Sequence, residues 1–159
     1  MTTSKLRIAA AALAAAAAGG AAMAATAVAA PGSAGSVISF TEHNISDHSF
    51  NLGSDHGFAV GYVELVANKL MRGSRQIGHD GESYTVTRLG SGSADEEVSA
   101  TEVFADGQIN LSGLVTSTPR GPGTFQLAVT GGTGRYHDAR GYATIVPGAA
   151  PDVTIHLTP

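Results

Sequence analysis

The sequence predicts an all-β domain of about eight short strands, a barrel or a sandwich, behind an N-terminal leader. Three observations predict it. From Val37 to Leu157, β-branched and aromatic residues alternate with polar ones. Between these runs stand turn-forming clusters such as "GSDHG", "GHDG", "GSGSADEE", "PRGPG" and "PGAAPD". No stretch after the leader combines a 3.6-residue apolar period with helix caps.

The leader is residues 1–29. Lys5 and Arg7 precede an alanine-dominated run, and Ala27-Val28-Ala29 supplies the small-residue site of a secretory signal peptide. Pro31 disfavours a cut directly before it, which places cleavage between Ala29 and Ala30. The run is broken at Gly19-Gly20 and is too weakly apolar for a permanent span, so no membrane association is expected after processing. An uncleaved tail is the competing reading. The alanine-rich leader points to a bacterial source, and secretion is the expected location. Removing Lys5 and Arg7 takes the net charge from −4 to −6, a surface that repels phosphate backbones and argues against nucleic acid as partner. With no cysteine, the chain has no thiol nucleophile, thiolate metal site or disulfide.

Residues 30–36 read as a linker and 37–159 as one domain. The strands, in order, are "SVISFTEHNI", "FAVGYVELVANKL", "ESYTVTRL", "VSATEVF", "GQINLSGLVTS", "TFQLAVT", "GYATIV" and "DVTIHL". The composition of "VELVANKLM" also permits a helix. "GHDG" around His79 reads as a hairpin turn and "SADEEVSATE" as a solvated acidic turn leading into a strand.

The run Thr130-Gly131-Gly132-Thr133-Gly134 invites a dinucleotide-binding reading, and its context excludes one. That site needs a helix after the glycines. Here His137 replaces the third glycine, "GYATIV" reads as a strand, and only 25 residues follow Gly134. Gly131, Gly132, Gly134 and Gly141 are instead expected to shape a bend or bulge.

The segment from Phe125 to Ala143, "FQLAVTGGTGRYHDARGYA", resembles that shared by plant dirigent proteins and their bacterial relatives with an allene oxide cyclase-like barrel. "GSDHGFAVGY", "QIGHDGESYTVTR" and "FADGQINLSGLV" are similar to the bacterial group's strands, in the same order. The resemblance implies an eight-stranded antiparallel β-barrel of calycin-like type, often secreted and often a homo-oligomer, working without metal or organic cofactor. It also implies proteins that steer phenoxy-radical coupling or cyclise small unstable molecules. Bacterial relatives commonly carry cysteines where this chain has Tyr84 and Ser99, so packing must supply the stability.

A small hydrophobic or aromatic molecule in the lumen is therefore the expected partner. Glu42 shares the Phe40 face of the first strand; if that face is internal, burial raises its pKa and suits it to general acid work. Arg140 and Tyr142 lie two apart and share a face, with Arg140 suited to hold a carboxylate or developing oxyanion. Tyr62 and Glu64 do likewise, so Phe40, Tyr62, Glu64 and Tyr142 are the candidate ligand contacts and Glu42 and Arg140 the candidate catalytic pair. The competing reading puts these charges on the surface, or pairs Arg140 with an acid structurally. No H-x-H, H-E-x-x-H or G-x-S-x-G spacing occurs among the six histidines and the serines, so no metal is expected. The rival functional classes are a non-catalytic carrier or interaction module, and a pericyclic ring-forming enzyme, which an export signal disfavours.

Overall fold

The computed structural model describes residues 35–53 and 58–159; the predicted leader, most of the linker and His56 lie outside the described residues. The described chain is built from strands: β1 (Ser36–Asn51), β2 (Tyr62–Arg72), β3 (Arg75–Leu89), β4 (Ala94–Phe104), β5 (Gly107–Thr118), the two-residue β6 (Gly121–Pro122), β7 (Phe125–Gly134), β8 (Gly141–Val146) and β9 (Asp152–Leu157). All pairings are antiparallel. The order β4-β3-β2-β1-β9-β8-β7-β5, with β5 returning to β4, closes eight strands into a barrel, and β6 pairs with the end of β5. Closure leaves those eight strands no free edge. "VELVANKLM" is strand β2, not a helix.

Two expected turns are corrected. "GHDG" is not a hairpin: Gly78 to Gly81 lie inside β3, and the turn comes earlier, at Gly73-Ser74. Gly78 is glycine because β4 passes close by; a Cβ there would meet the Val103 carbonyl and the Leu70 side chain. In "SADEEVSATE" the expected strand start is present but the solvated turn is not, since β4 begins at Ala94 and buries Asp95, Val98, Ala100 and Glu102.

The interior is two-sided. Strands β5, β7, β8 and β9 turn Ile109, Leu111, Val115, Leu127, Val129, Ala143, Ile145, Val153 and Ile155 inward, all buried in one apolar cluster. One end of the barrel is plugged: Phe104 packs against Phe40 at 6.1 Å and against Tyr136 at 5.7 Å between ring centres. Tyr136 sits in the tight β7–β8 connection, where Tyr136 N–H donates to Thr133 O and Ala139 N–H to Tyr136 O. The glycine run builds that end. The β5–β7 register shifts between Asn110 and Leu111, opposite Gly131 and Val129, so a bulge opens the connection. Gly134 then turns the chain with φ +59°, where a Cβ would meet the Asp106 carbonyl.

Candidate functional site

The other half of the lumen, from β1 to β4, carries acids. β1 brings Glu42, β2 Glu64 and Asn68, β3 Asp80, Glu82 and Tyr84, and β4 Glu96 and Glu102. The register sets them face to face: Asn68 opposes Asp80, Glu64 opposes Tyr84, and Asp80 opposes Glu102. One carboxylate oxygen from each of Glu42, Asp80, Glu82 and Glu102 falls within 4.8 Å of the other three.

Each acid has its own setting. Asp80 accepts hydrogen bonds from the Asn68 backbone N–H at 2.9 Å and the Asn68 amide at 3.0 Å. Burial pushes Asp80 up to about 6 while those donors hold it down. Glu82 accepts from the Tyr84 hydroxyl at 2.8 Å. Burial, with Asp80 alongside, pushes it up to about 7. Glu42 rises furthest, to about 10, through burial and then the Glu82, Glu102 and Asp80 charges. Glu102 is 1 % exposed, and burial also lifts it well above the usual carboxylate range. Its Oε2 is fully buried with no hydrogen-bond partner. Glu64 and Glu96, nearer the open end, are raised by burial too. Like charges this close cannot all ionise, so at neutral pH the cluster stores protons.

Above the cluster lies a cavity of about 110 Å³. Glu42, Glu82, Tyr84 and Asn68 form its polar side, and Val66, Val115, Phe125 and Ile145 its apolar side. Pro122, Pro147 and Pro151 edge it where the connections of the open end converge. Pro151 O also accepts the Glu42 N–H at 2.9 Å, which ties that rim to β1. A smaller recess beside it is lined by Phe58, Tyr62, Glu64, Tyr84, Val86 and Glu96. Among the described residues, no lysine, arginine or histidine lines either space.

The sequence candidates divide. Glu42 and Glu64 border the cavity, and Tyr62 stands in the smaller recess with Phe58 at 5.3 Å. Phe40 is inside but belongs to the plug, not to the cavity wall. Arg140 and Tyr142 are outside the lumen. Arg140 precedes β8, is exposed, and donates to Ala139 O. Tyr142 is 41 % exposed and stacks on His156, with ring centres 4.7 Å apart. The reason is pleat parity: Ala143 and Ile145 face inward, so Tyr142 faces out. Arg140→Ala is therefore expected to change stability by less than about 0.5 kcal/mol and to leave ligand affinity unchanged; a marked loss in titration calorimetry would return Arg140 to the site.

Sequence reasoning missed Asp80, Glu82, Tyr84, Glu96 and Glu102. A signal was present. Extending the Tyr84–Val86 face backwards in steps of two reaches Glu82 and Asp80, and the Val98–Ala100 face runs forward to Glu102. Reading "GHDG" as a turn cut the first series short.

The family model "Allene oxide cyclase barrel like domain" matches residues 41–156. The chain belongs to this family. No curated protein matches it in sequence. Among solved structures, a pyocyanin demethylase is similar at TM-score 0.69 and 23 % identity, over 77 % of this chain and 100 % of that one. The pterocarpan synthase dirigent protein PsPTS1 is similar at TM-score 0.58 and 18 % identity, over 79 % of this chain and 94 % of that one. The Diels Alderase AbmU from Streptomyces koyangensis is similar at TM-score 0.59 and 17 % identity, over 79 % and 70 %. At these identities the likeness shows a shared allene oxide cyclase-like barrel.

Proposed function

We propose that this family member is an exported isomerase or cyclase that holds a small, largely apolar molecule in its lumen and moves protons on it without a cofactor. The observation that carries this reading is that Glu42 and Glu82 border the same cavity with proton affinities pushed apart, to about 10 and about 7. Divergent environments for neighbouring carboxyls separate an acid from a base. Neutral Glu42 gives its proton to a basic or electronegative atom of the ligand. The Glu82 carboxylate, steadied by Tyr84, takes one from a neighbouring position. The two transfers balance, so bonds rearrange with no net oxidation. The Val66, Val115, Phe125 and Ile145 side folds the ligand into the reactive shape. Buried like charges cost stability, and such clusters concentrate at functional sites. Dirigent, cyclase and demethylase proteins on the same barrel support a small-molecule lumen, and the leader pattern supports export.

The test is native mass spectrometry of the protein isolated from its source, followed by turnover of the molecule released. Glu42→Gln is expected to lose roughly 100-fold or more in kcat. Binding without turnover in the unaltered protein would make it a carrier. Unchanged kcat in Glu42→Gln would remove Glu42 from the chemistry.

A further inference from the structure

Among the described residues no lysine, arginine or histidine lines the cavity beside the acid cluster, and the His79 charge that lowers Asp80 comes from an exposed side chain. Arg88, itself exposed, pairs with Asp95, whose side chain points to the opposite face from the cavity-lining Glu96; Arg135 pairs with Asp106 at the surface, Arg72 donates to Ser39 O, and Lys69 is exposed. Asn68 and Tyr84 serve Asp80 and Glu82. Glu102 is left: it is 1 % exposed, and its Oε2 is buried with no donor. A buried acceptor without a donor carries a large desolvation cost, which a ligand N–H can relieve.

Size and surroundings narrow the donor. An alkylammonium carries three N–H donors, and oxygens placed about 2.8 Å from its nitrogen along those three tetrahedral directions lie about 4.6 Å apart, the fourth direction being the bond to the hydrocarbon body. The Glu42, Asp80, Glu82 and Glu102 oxygens lie within 4.8 Å of one another. Glu42 and Glu82 connect this nest to the cavity, whose far side is Val66, Val115, Phe125 and Ile145. That side matches a hydrocarbon body and offers nothing to the water shell of a metal ion.

We propose that the lumenal ligand is a small amphiphilic amine, its charged N–H head among Glu42, Asp80, Glu82 and Glu102 and its hydrocarbon body against the apolar side. This rests on the reading of the lumen as a ligand site and names the atom that Glu42 protonates. An amine entering neutral takes the Glu42 proton: the O–H bond breaks as the N–H bond forms, leaving a carboxylate beside an ammonium. The head then supplies the donor that Glu102 lacks.

Benzylamine and ethylbenzene have the same shape and differ by an ammonium in place of a methyl, so comparing them on the full-length protein by titration calorimetry isolates the charge. Benzylamine is expected to bind at least about tenfold more tightly and to shift the methyl resonances of Val66, Val115 and Ile145. Glu102→Gln is expected to weaken benzylamine about tenfold and to leave ethylbenzene unchanged. Equal affinity for the two probes overturns the amine while leaving the lumen a ligand site. Binding of calcium chloride without binding of benzylamine makes the nest an inorganic site and overturns it too. Failure of both organic probes to bind removes this inference together with the ligand-binding reading. The comparison of two probes on the unaltered protein stands even if Glu102→Gln does not fold.

Discussion

The free energy of unfolding falls as pH rises from about 5 to about 9, with a slope near 1.4 kcal/mol per pH unit for each proton the folded lumen keeps and the unfolded chain releases. The sign follows from the direction of the shifts. Glu42 is raised from 4.5 to about 10, Glu82 from 4.5 to about 7 and Asp80 from 3.8 to about 6. The folded state thus binds more protons than the unfolded chain between those limits. The stability these groups contribute is complete below the unfolded pKa and is lost as pH climbs through the folded one. Asp80 drops out of the slope by about pH 7 and Glu82 by about pH 8, leaving Glu42 and Glu102 to carry it onward. Urea unfolding at about pH 5, 7 and 9 measures the slope. Glu42→Gln is expected to lower it by about 1.4 kcal/mol per pH unit above pH 7 and to be more stable than the unaltered protein at about pH 9. A flat profile from about pH 5 to 9 would mean that the carboxyls are solvated or already paired with a cation.

Gly141→Ala is expected to cost more than about 3 kcal/mol, a large part of the 5–15 kcal/mol that holds a domain of this size, and to lower Tm by roughly 10 °C or more. Gly141 opens β8 at φ +138°, a backbone conformation that an L side chain rarely adopts. Its Cβ would also collide with the His156 carbonyl on β9, one residue before Leu157, the residue that Gly141 opposes across the sheet. The collision is with backbone, so no rotamer change relieves it; the β8–β9 pairing must part. Gly123→Ala is the control, because a methyl group at that position would have no heavy atom within 4 Å and the backbone there has no positive φ; it should shift stability by less than about 0.5 kcal/mol. Equal effects in thermal unfolding would show that the close β8–β9 approach is not a constraint.

Alternation and punctuation made the eight barrel strands readable in order, because a strand exposes its two-residue period directly in the chain. The same period revealed that Glu42 travels with Phe40. It did not reveal how deep either lies: Phe40 ended in the plug and Glu42 at the cavity floor. Gly78 and Gly81 looked like a turn because glycine marks both turns and close strand approach, and at Gly78 only the nearness of Val103 distinguishes the two. That ambiguity hid Asp80 and Glu82.

By itself, then, the sequence determined the class of structure, the number and order of strands, the glycine bulge and one member of the acid cluster. These rest on local patterns within about ten residues. The tertiary structure alone decided that Asp80, Glu82 and Glu102 join Glu42, that Arg140 and Tyr142 stand outside, and that no lysine, arginine or histidine lines the cavity among the described residues. Inside and outside are set by barrel closure and cross-strand register, which bring residues sixty positions apart, such as Glu42 and Glu102, within 4.8 Å. The proton affinities follow from that proximity and burial, so the chemistry of the site becomes visible only once the sheet is closed.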